Sequence, residues 1–160
     1  MKYMKIFLTG SSGFIGFHLS KKLLDKGHSV HGFDSVNNYY DVKLKKARYQ
    51  ILNKYKKFSF TKGKLENQKT LSNSILKFKP KIIIHLAAQA GVRYSIEKPR
   101  VYLDSNITGT YNVIELAKKV NVKHELFKVK WSTFTATFFK ETNVSDCSLF
   151  INTFAHIVNS

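Results

Sequence analysis

The sequence predicts an α/β fold, a doubly wound parallel sheet truncated after about the fifth strand, and three observations predict it. Short apolar runs alternate with segments whose apolar residues recur every three to four positions, the pattern of strand–helix units. The run Ile82-Ile83-Ile84 is apolar without alternation, as expected of a parallel strand covered on both faces. Thr9 to Gly16 reads T-G-S-S-G-F-I-G, a glycine-rich turn where a strand gives way to a helix.

The elements follow in order. Ile6-Phe7-Leu8 is the first strand; Met1–Leu8 carries two lysines but no small-residue cleavage site, so it reads as a strand and not as a signal peptide. Phe14, Ile15, Leu19, Leu23 and Leu24 give a helix from Phe14 to Lys26, stopped by Gly27. A second strand runs from His28 to Phe33 and ends at Asp34. Val42 to Tyr55 is helical, with Leu44, Ala47, Ile51 and Leu52 on its inner side, and Phe58 to Thr61 is a short third strand. Leu71, Ile75 and Phe78 mark a third helix ended by Pro80. After the fourth strand, Ile82–Ile84, Pro99 opens a fourth helix whose buried face is Val113, Ile114, Ala117 and Val120. Repeated units of this kind require right-handed crossovers.

Gly10, Gly13 and Gly16, three apart, suit a dinucleotide: Gly10 for the tight turn, Gly13 for approach of the backbone to a pyrophosphate, Gly16 for close helix–strand packing. The helix N-terminus then offers free N–H groups to the phosphates. A strand-to-helix turn that binds nothing has the same local pattern. Asp34, 18 residues past Gly16 at a strand end, is placed to accept from adenine-side ribose hydroxyls and to repel a 2′-phosphate, favouring NAD over NADP. An Asp at a strand end also serves as a plain turn former.

At 160 residues the chain holds one ordinary core, with no room for a second full domain beside a nucleotide-binding one. No apolar run approaches the roughly 18 residues needed to span a bilayer, so no membrane contact is expected. The single cysteine, Cys147, precludes an intrachain disulfide and points to the cytoplasm. The net charge of +17 raises nucleic-acid binding. Its 24 lysines against 3 arginines are scattered along helices without forming a basic arm, so no nucleic-acid partner is expected. No metal site is expected.

Four segments carry a family resemblance: the glycine turn; F-D-S-V-N-N-Y-Y-D-V-K-L-K-K-A-R from Phe33; H-L-A-A-Q-A-G-V-R-Y-S-I-E-K-P from His85; and D-S-N-I-T-G-T-Y-N-V-I-E from Asp104. Together they resemble the extended short-chain dehydrogenase/reductase superfamily, whose fold is of the Rossmann type. Within it they most resemble NAD-dependent sugar-nucleotide epimerases of the UDP-glucuronate 4-epimerase type, over roughly residues 4 to 124. The resemblance implies NAD as cofactor, with Gly10, Gly13, Phe14, Ile15 and Gly16 at the pyrophosphate and Asp34 and Asn37 at the adenosine ribose. It places Leu86, Ala87, Ala88 and Gln89 along the nicotinamide ribose, Asn106 beside that loop, and Arg93 and Ser95 toward a UDP-sugar substrate. A solvated loop arginine and small strand-end alanines are the plain structural readings of the same residues. Where relatives carry an acid after the third strand, this chain has Gly63-Lys64-Leu65; Leu65 is left to meet adenine through its backbone. For the full-length protein the resemblance is compatible with a homodimer.

The family reaction oxidises and re-reduces C4 of the sugar through a 4-keto intermediate, with a tyrosine base activated by a lysine four residues on. Tyr111 is the last tyrosine here, so no such pair follows it. Tyr39/Lys43 and Tyr94/Lys98 have the spacing but fall in earlier loops. Ser132 and Thr133 are at most remnants of the serine-bearing strand end, and Asn152 and His156 hold the spacing where the pair belongs. The expectation is a nucleotide-binding domain at 1–124, an atypical tail at 125–160 that is rich in aromatics and reads as frame-disrupted, no substrate domain, and no activity as written. Alternatives are a fragment of a sugar-nucleotide 4,6-dehydratase or decarboxylase, or a non-catalytic NAD-binding module.

Overall fold

The structure is a computed structural model; it describes residues 3–120 and 122, together with the backbone of the strands 124–130 and 135–140. Strand β1 (Lys5–Thr9) leads through the glycine turn to α1 (Phe14–Asp25); β2 (Ser29–Asp34), α2 (Val42–Leu52), β3 (Phe58–Lys62), α3 (Gln68–Phe78) and β4 (Ile82–His85) follow. Beyond β4 come α4 (Val92–Glu97), α5 (Pro99–Tyr102), a π-helical segment Leu103–Thr108, and α6 (Gly109–Lys119). The sheet order is β3-β2-β1-β4-β5-β6, with β5 at His124–Lys130 and β6 at Thr135–Lys140. The first five strands are parallel and β6 is antiparallel to β5. The strand order reverses direction between β1 and β4, the crevice at which open α/β sheets bind ligands.

Strand period explains the two cores. On β1, Ile6 and Leu8 face one layer and Phe7 the other; on β4, Ile82 and Ile84 share the first layer and Ile83 the second. The first layer closes over α1 and α2 with Leu19, Leu23, Leu24 and Leu52. The second closes over α3 and α6 with Leu71, Ile75, Val113, Leu116 and Ala117. Covering both faces makes the sheet doubly wound, as the unalternating isoleucines require.

Several details differ from the sequence reading. Helix α2 ends at Leu52, short of Tyr55, and its inner side is Lys45 and Leu52; Leu44 and Ile51 are exposed. The cause is a polar anchor: the Lys45 ammonium donates to the Asn37 carbonyl and side-chain oxygens at 3.2 and 2.7 Å, which rotates that face inward. The segment of Tyr94 and Lys98, read as a loop, holds the short helix α4, and the sheet continues past a fifth strand into β6. Strands β5 and β6 occupy residues 124–130 and 135–140. Ser132, Thr133, Asn152 and His156 lie outside the described residues.

Ile83 is fully buried at the centre of the second layer. Ile83→Ala should cost about 2–5 kcal/mol, because the two-sided packing leaves little room to collapse around the cavity. Urea denaturation at constant slope would read this as a lowered midpoint.

Candidate dinucleotide-binding site

Backbone contacts shape the glycine turn. Gly10 has φ +74°, a left-handed conformation that favours glycine, and its N–H donates to the Phe33 carbonyl at 2.7 Å. A Cβ at Gly16 would overlap the Gly10 carbonyl oxygen, so α1 reaches this close to the turn only because position 16 has no side chain. Gly13 differs: a Cβ there would meet only the Gly10 oxygen at 3.1 Å and otherwise open space. Gly13 is also the N-cap of α1 and supplies no side-chain cap, and Phe14 and Ile15 beside it are exposed. An amino-terminal helix end without a cap, reached past a residue with no side chain, suits a phosphate.

Asp34 closes one side. Its buried carboxylate accepts from Ser12 N at 3.0 Å and from Val36 N at 2.8 Å, fixing the glycine turn to the end of β2. Those bonds use two of about four acceptor sites on a carboxylate, so ribose hydroxyls still find an acceptor. Asn37 sends its amide nitrogen to Gln89 Oε1 at 3.3 Å, linking the loop after β2 to the loop after β4. Asn106 grips that second loop twice: its Oδ1 accepts from Gln89 N at 2.7 Å and its Nδ2 donates to Gln89 O at 3.0 Å. Ala87 abuts the turn, its nitrogen 2.9 Å from where a Cβ on Gly10 would stand.

Other assigned residues sit differently. The Leu65 side chain is buried in the second core layer, and its carbonyl accepts from Asn112 Nδ2 at 3.0 Å. Lys64 is solvent-exposed and pairs with Glu66 at 3.6 Å. Arg93 is 96% exposed on α4, 3.9 Å from Glu97, and Ser95 Oγ donates to the Val92 carbonyl at 2.6 Å. Tyr39 and Tyr94, whose spacing to lysine matches the family base, pack ring on ring at 4.8 Å, with the Tyr39 hydroxyl against Gly91.

Sequence reasoning missed a polar hub beneath the site. Thr9 Oγ1 accepts from Leu86 N at 3.1 Å and Ala87 N at 3.2 Å. With both lone pairs engaged, its single proton goes to His85 Nδ1, 2.7 Å away. The imidazole is therefore neutral with its proton on Nε2, which donates to Thr110 Oγ1 at 3.1 Å. Burial pushes His85 down to about 4. The one sequence signal for this hub is a polar residue ending an all-isoleucine strand.

Comparison with known proteins places this geometry. A family model described as GDP-mannose 4,6 dehydratase matches residues 7–136. Protein CapI of Staphylococcus aureus is 46% identical over 143 residues, which is 89% of this chain and 42% of that protein. A probable UDP-glucuronate 4-epimerase of Rhizobium meliloti is 48% identical over 121 residues, 76% of this chain and 36% of that protein. The crystal structure of the UDP-glucose 4-epimerase of Thermus thermophilus in complex with NAD superposes with a TM-score of 0.64 at 27% identity, covering 76% of this chain and 36% of that one. The chain thus spans well under half the length of these relatives.

The hub makes stability pH-dependent. His85 has a native pKa near 4 against an ordinary value of 6.5, so between these values only the unfolded chain takes up the proton. Stability present at pH 7 should fall as pH drops from 6.5 toward 4, by about 3 kcal/mol at most for this group. His31, pushed to about 4 by burial and then by Lys77, acts in the same direction. Denaturation midpoints across pH 4–7 should show the decline, and His85→Gln should be less stable at pH 7 with a shallower slope.

Proposed function

The chain belongs to the GDP-mannose 4,6-dehydratase family within the extended short-chain dehydrogenases/reductases, and from that premise we propose that it is the NAD-binding part of a sugar-nucleotide 4-epimerase of the UDP-glucuronate 4-epimerase type. The observation that carries the reading is the uncapped start of α1 beside Asp34, at the point where strand order reverses. The residues fit the cofactor. Gly13 and the first amides of α1 hold the pyrophosphate, the free lone pairs of Asp34 take the adenosine ribose, and the loop Leu86–Gln89, fixed by Thr9 and Asn106, lines the nicotinamide ribose. NAD, when bound, supplies a reversible two-electron acceptor for C4 of the sugar. The chain's part is to bind and orient it. Arg93 and Ser95, on the outer surface of α4, are proposed to meet a UDP-sugar in the whole protein.

We assign no proton-holding group for such a sugar among the described residues. The two Tyr-x-x-x-Lys pairs are committed elsewhere, Tyr39 and Tyr94 to their mutual packing. These 160 residues by themselves are therefore proposed to bind cofactor without epimerising. The family description favours one second reading, in which the same nucleotide-binding part serves a 4,6-dehydratase.

Calorimetric titration should show NAD binding more tightly than NADP, and Asp34→Ala narrowing the difference. Gly13→Val should fold and bind neither, because its side chain fills the open space of the pyrophosphate. Gly16→Ala should instead unfold the turn. Equal or stronger NADP binding by the unaltered chain would remove Asp34 from its role.

Incubation with UDP-glucuronate and NAD should yield no UDP-galacturonate above blank, since loss of a general base alone typically removes a factor of about 10²–10⁴. Turnover would mean that the base lies among residues assigned other work.

A further inference from the structure

Arg48 is a cation beside the glycine turn with no carboxylate partner among the described residues. Lys45 is committed to Asn37, Lys64 pairs with Glu66, and Lys62, the register partner of Asp34 on β3, is exposed. Arg48 is half-buried on α2; its Nη1 donates to the Ser12 carbonyl at 3.2 Å, and its guanidinium carbon lies 5.8 Å from the centre of the Phe14 ring. Both partners are neutral, and among the described residues no carboxylate forms an ion pair with it. Ser12 is the link: its N–H goes to Asp34 Oδ2 while its carbonyl receives Arg48. A carboxylate and a guanidinium therefore flank one residue of the glycine turn.

Resting on the dinucleotide reading above, we propose that Arg48 is a specificity-determining residue, the receiver of a 2′-phosphate, so that rejection of a 2′-phosphorylated dinucleotide depends on Asp34 alone. The ribose that Asp34 reads would carry its 2′ substituent between the two side chains. There the carboxylate repels a phosphate dianion, while the guanidinium has most of its five donors left in a fork that matches phosphate oxygens. The pyrophosphate of the same cofactor is a second anion in reach, and the test separates the two.

The test uses the full 160-residue chain and titrates 5′-ADP and 2′,5′-ADP, which differ only in where the second phosphate sits, alongside NAD and NADP. Asp34→Ser should improve the affinity for 2′,5′-ADP relative to 5′-ADP by about tenfold. Arg48→Gln in that background should remove the gain, and Arg48→Lys should keep part of it. Asp34 also anchors two backbone N–H groups, so its variant is checked by thermal melting. If it fails to fold, Arg48→Gln beside the native Asp34 decides, and should lower the 2′,5′-ADP to 5′-ADP affinity ratio severalfold. Equal losses for both nucleotides would assign Arg48 to the pyrophosphate and overturn the proposal, as would no change in the ratio. A chain that binds neither NAD nor 5′-ADP would overturn the cofactor reading itself, and the proposal with it.

Discussion

The carboxyl edge of the sheet depends on one hydroxyl, that of Thr9. It takes two amide hydrogens from the start of the loop after β4 and gives its own proton to His85. A buried hydroxyl in this position can satisfy all three bonds only if the imidazole stays neutral, and full burial keeps it so. The hub fixes where the chain leaves β4, and so fixes the wall against which the glycine turn closes. Asn106 then pins the far end of the same loop through both backbone groups of Gln89.

From that wall a second set of contacts runs across the turn to the end of β2. Asn37 meets Gln89, Tyr39 packs on Tyr94 and against Gly91, and Tyr102 donates to the Ala90 and Gly91 carbonyls. The loops that follow β2 and β4 are therefore one assembly, although β1 lies between their strands. Lys45 belongs to it from below through Asn37. Two of the four segments that carry the family resemblance, from Phe33 to Arg48 and from His85 to Pro99, supply most of this assembly.

The parallel sheet and the glycine turn were legible in the sequence because both are local: apolar runs of strand length, and glycines whose spacing states a backbone demand. The inner face of α2 was not. Leu44 and Ile51 follow the helical period, yet the helix is turned by a lysine that finds carbonyl oxygens across a loop, a gain that hydropathy does not register. The same holds for His85, Arg48 and the paired hydrogen bonds of Asn106. Each acts on residues between 17 and 76 positions away, and only His85 leaves a local trace, as the polar end of an isoleucine strand. Helix α4 escaped because its six residues, set between Gly91 and Pro99, are too few to show a period.

The π-helical segment at Leu103–Thr108 inserts itself between two α-helical stretches of a single rod. A wider turn advances the chain by one extra residue, so the rod is out of phase with itself on either side. Upstream, Tyr102 faces the loop at Gly91; at the segment, Asn106 faces Gln89; downstream, Gly109 sits against Leu65, and Val113 and Leu116 face the core. The rod thus behaves as two screws cut with different starting angles and joined at Asn106. One continuous helix thereby serves a polar rim and an oily interior at once.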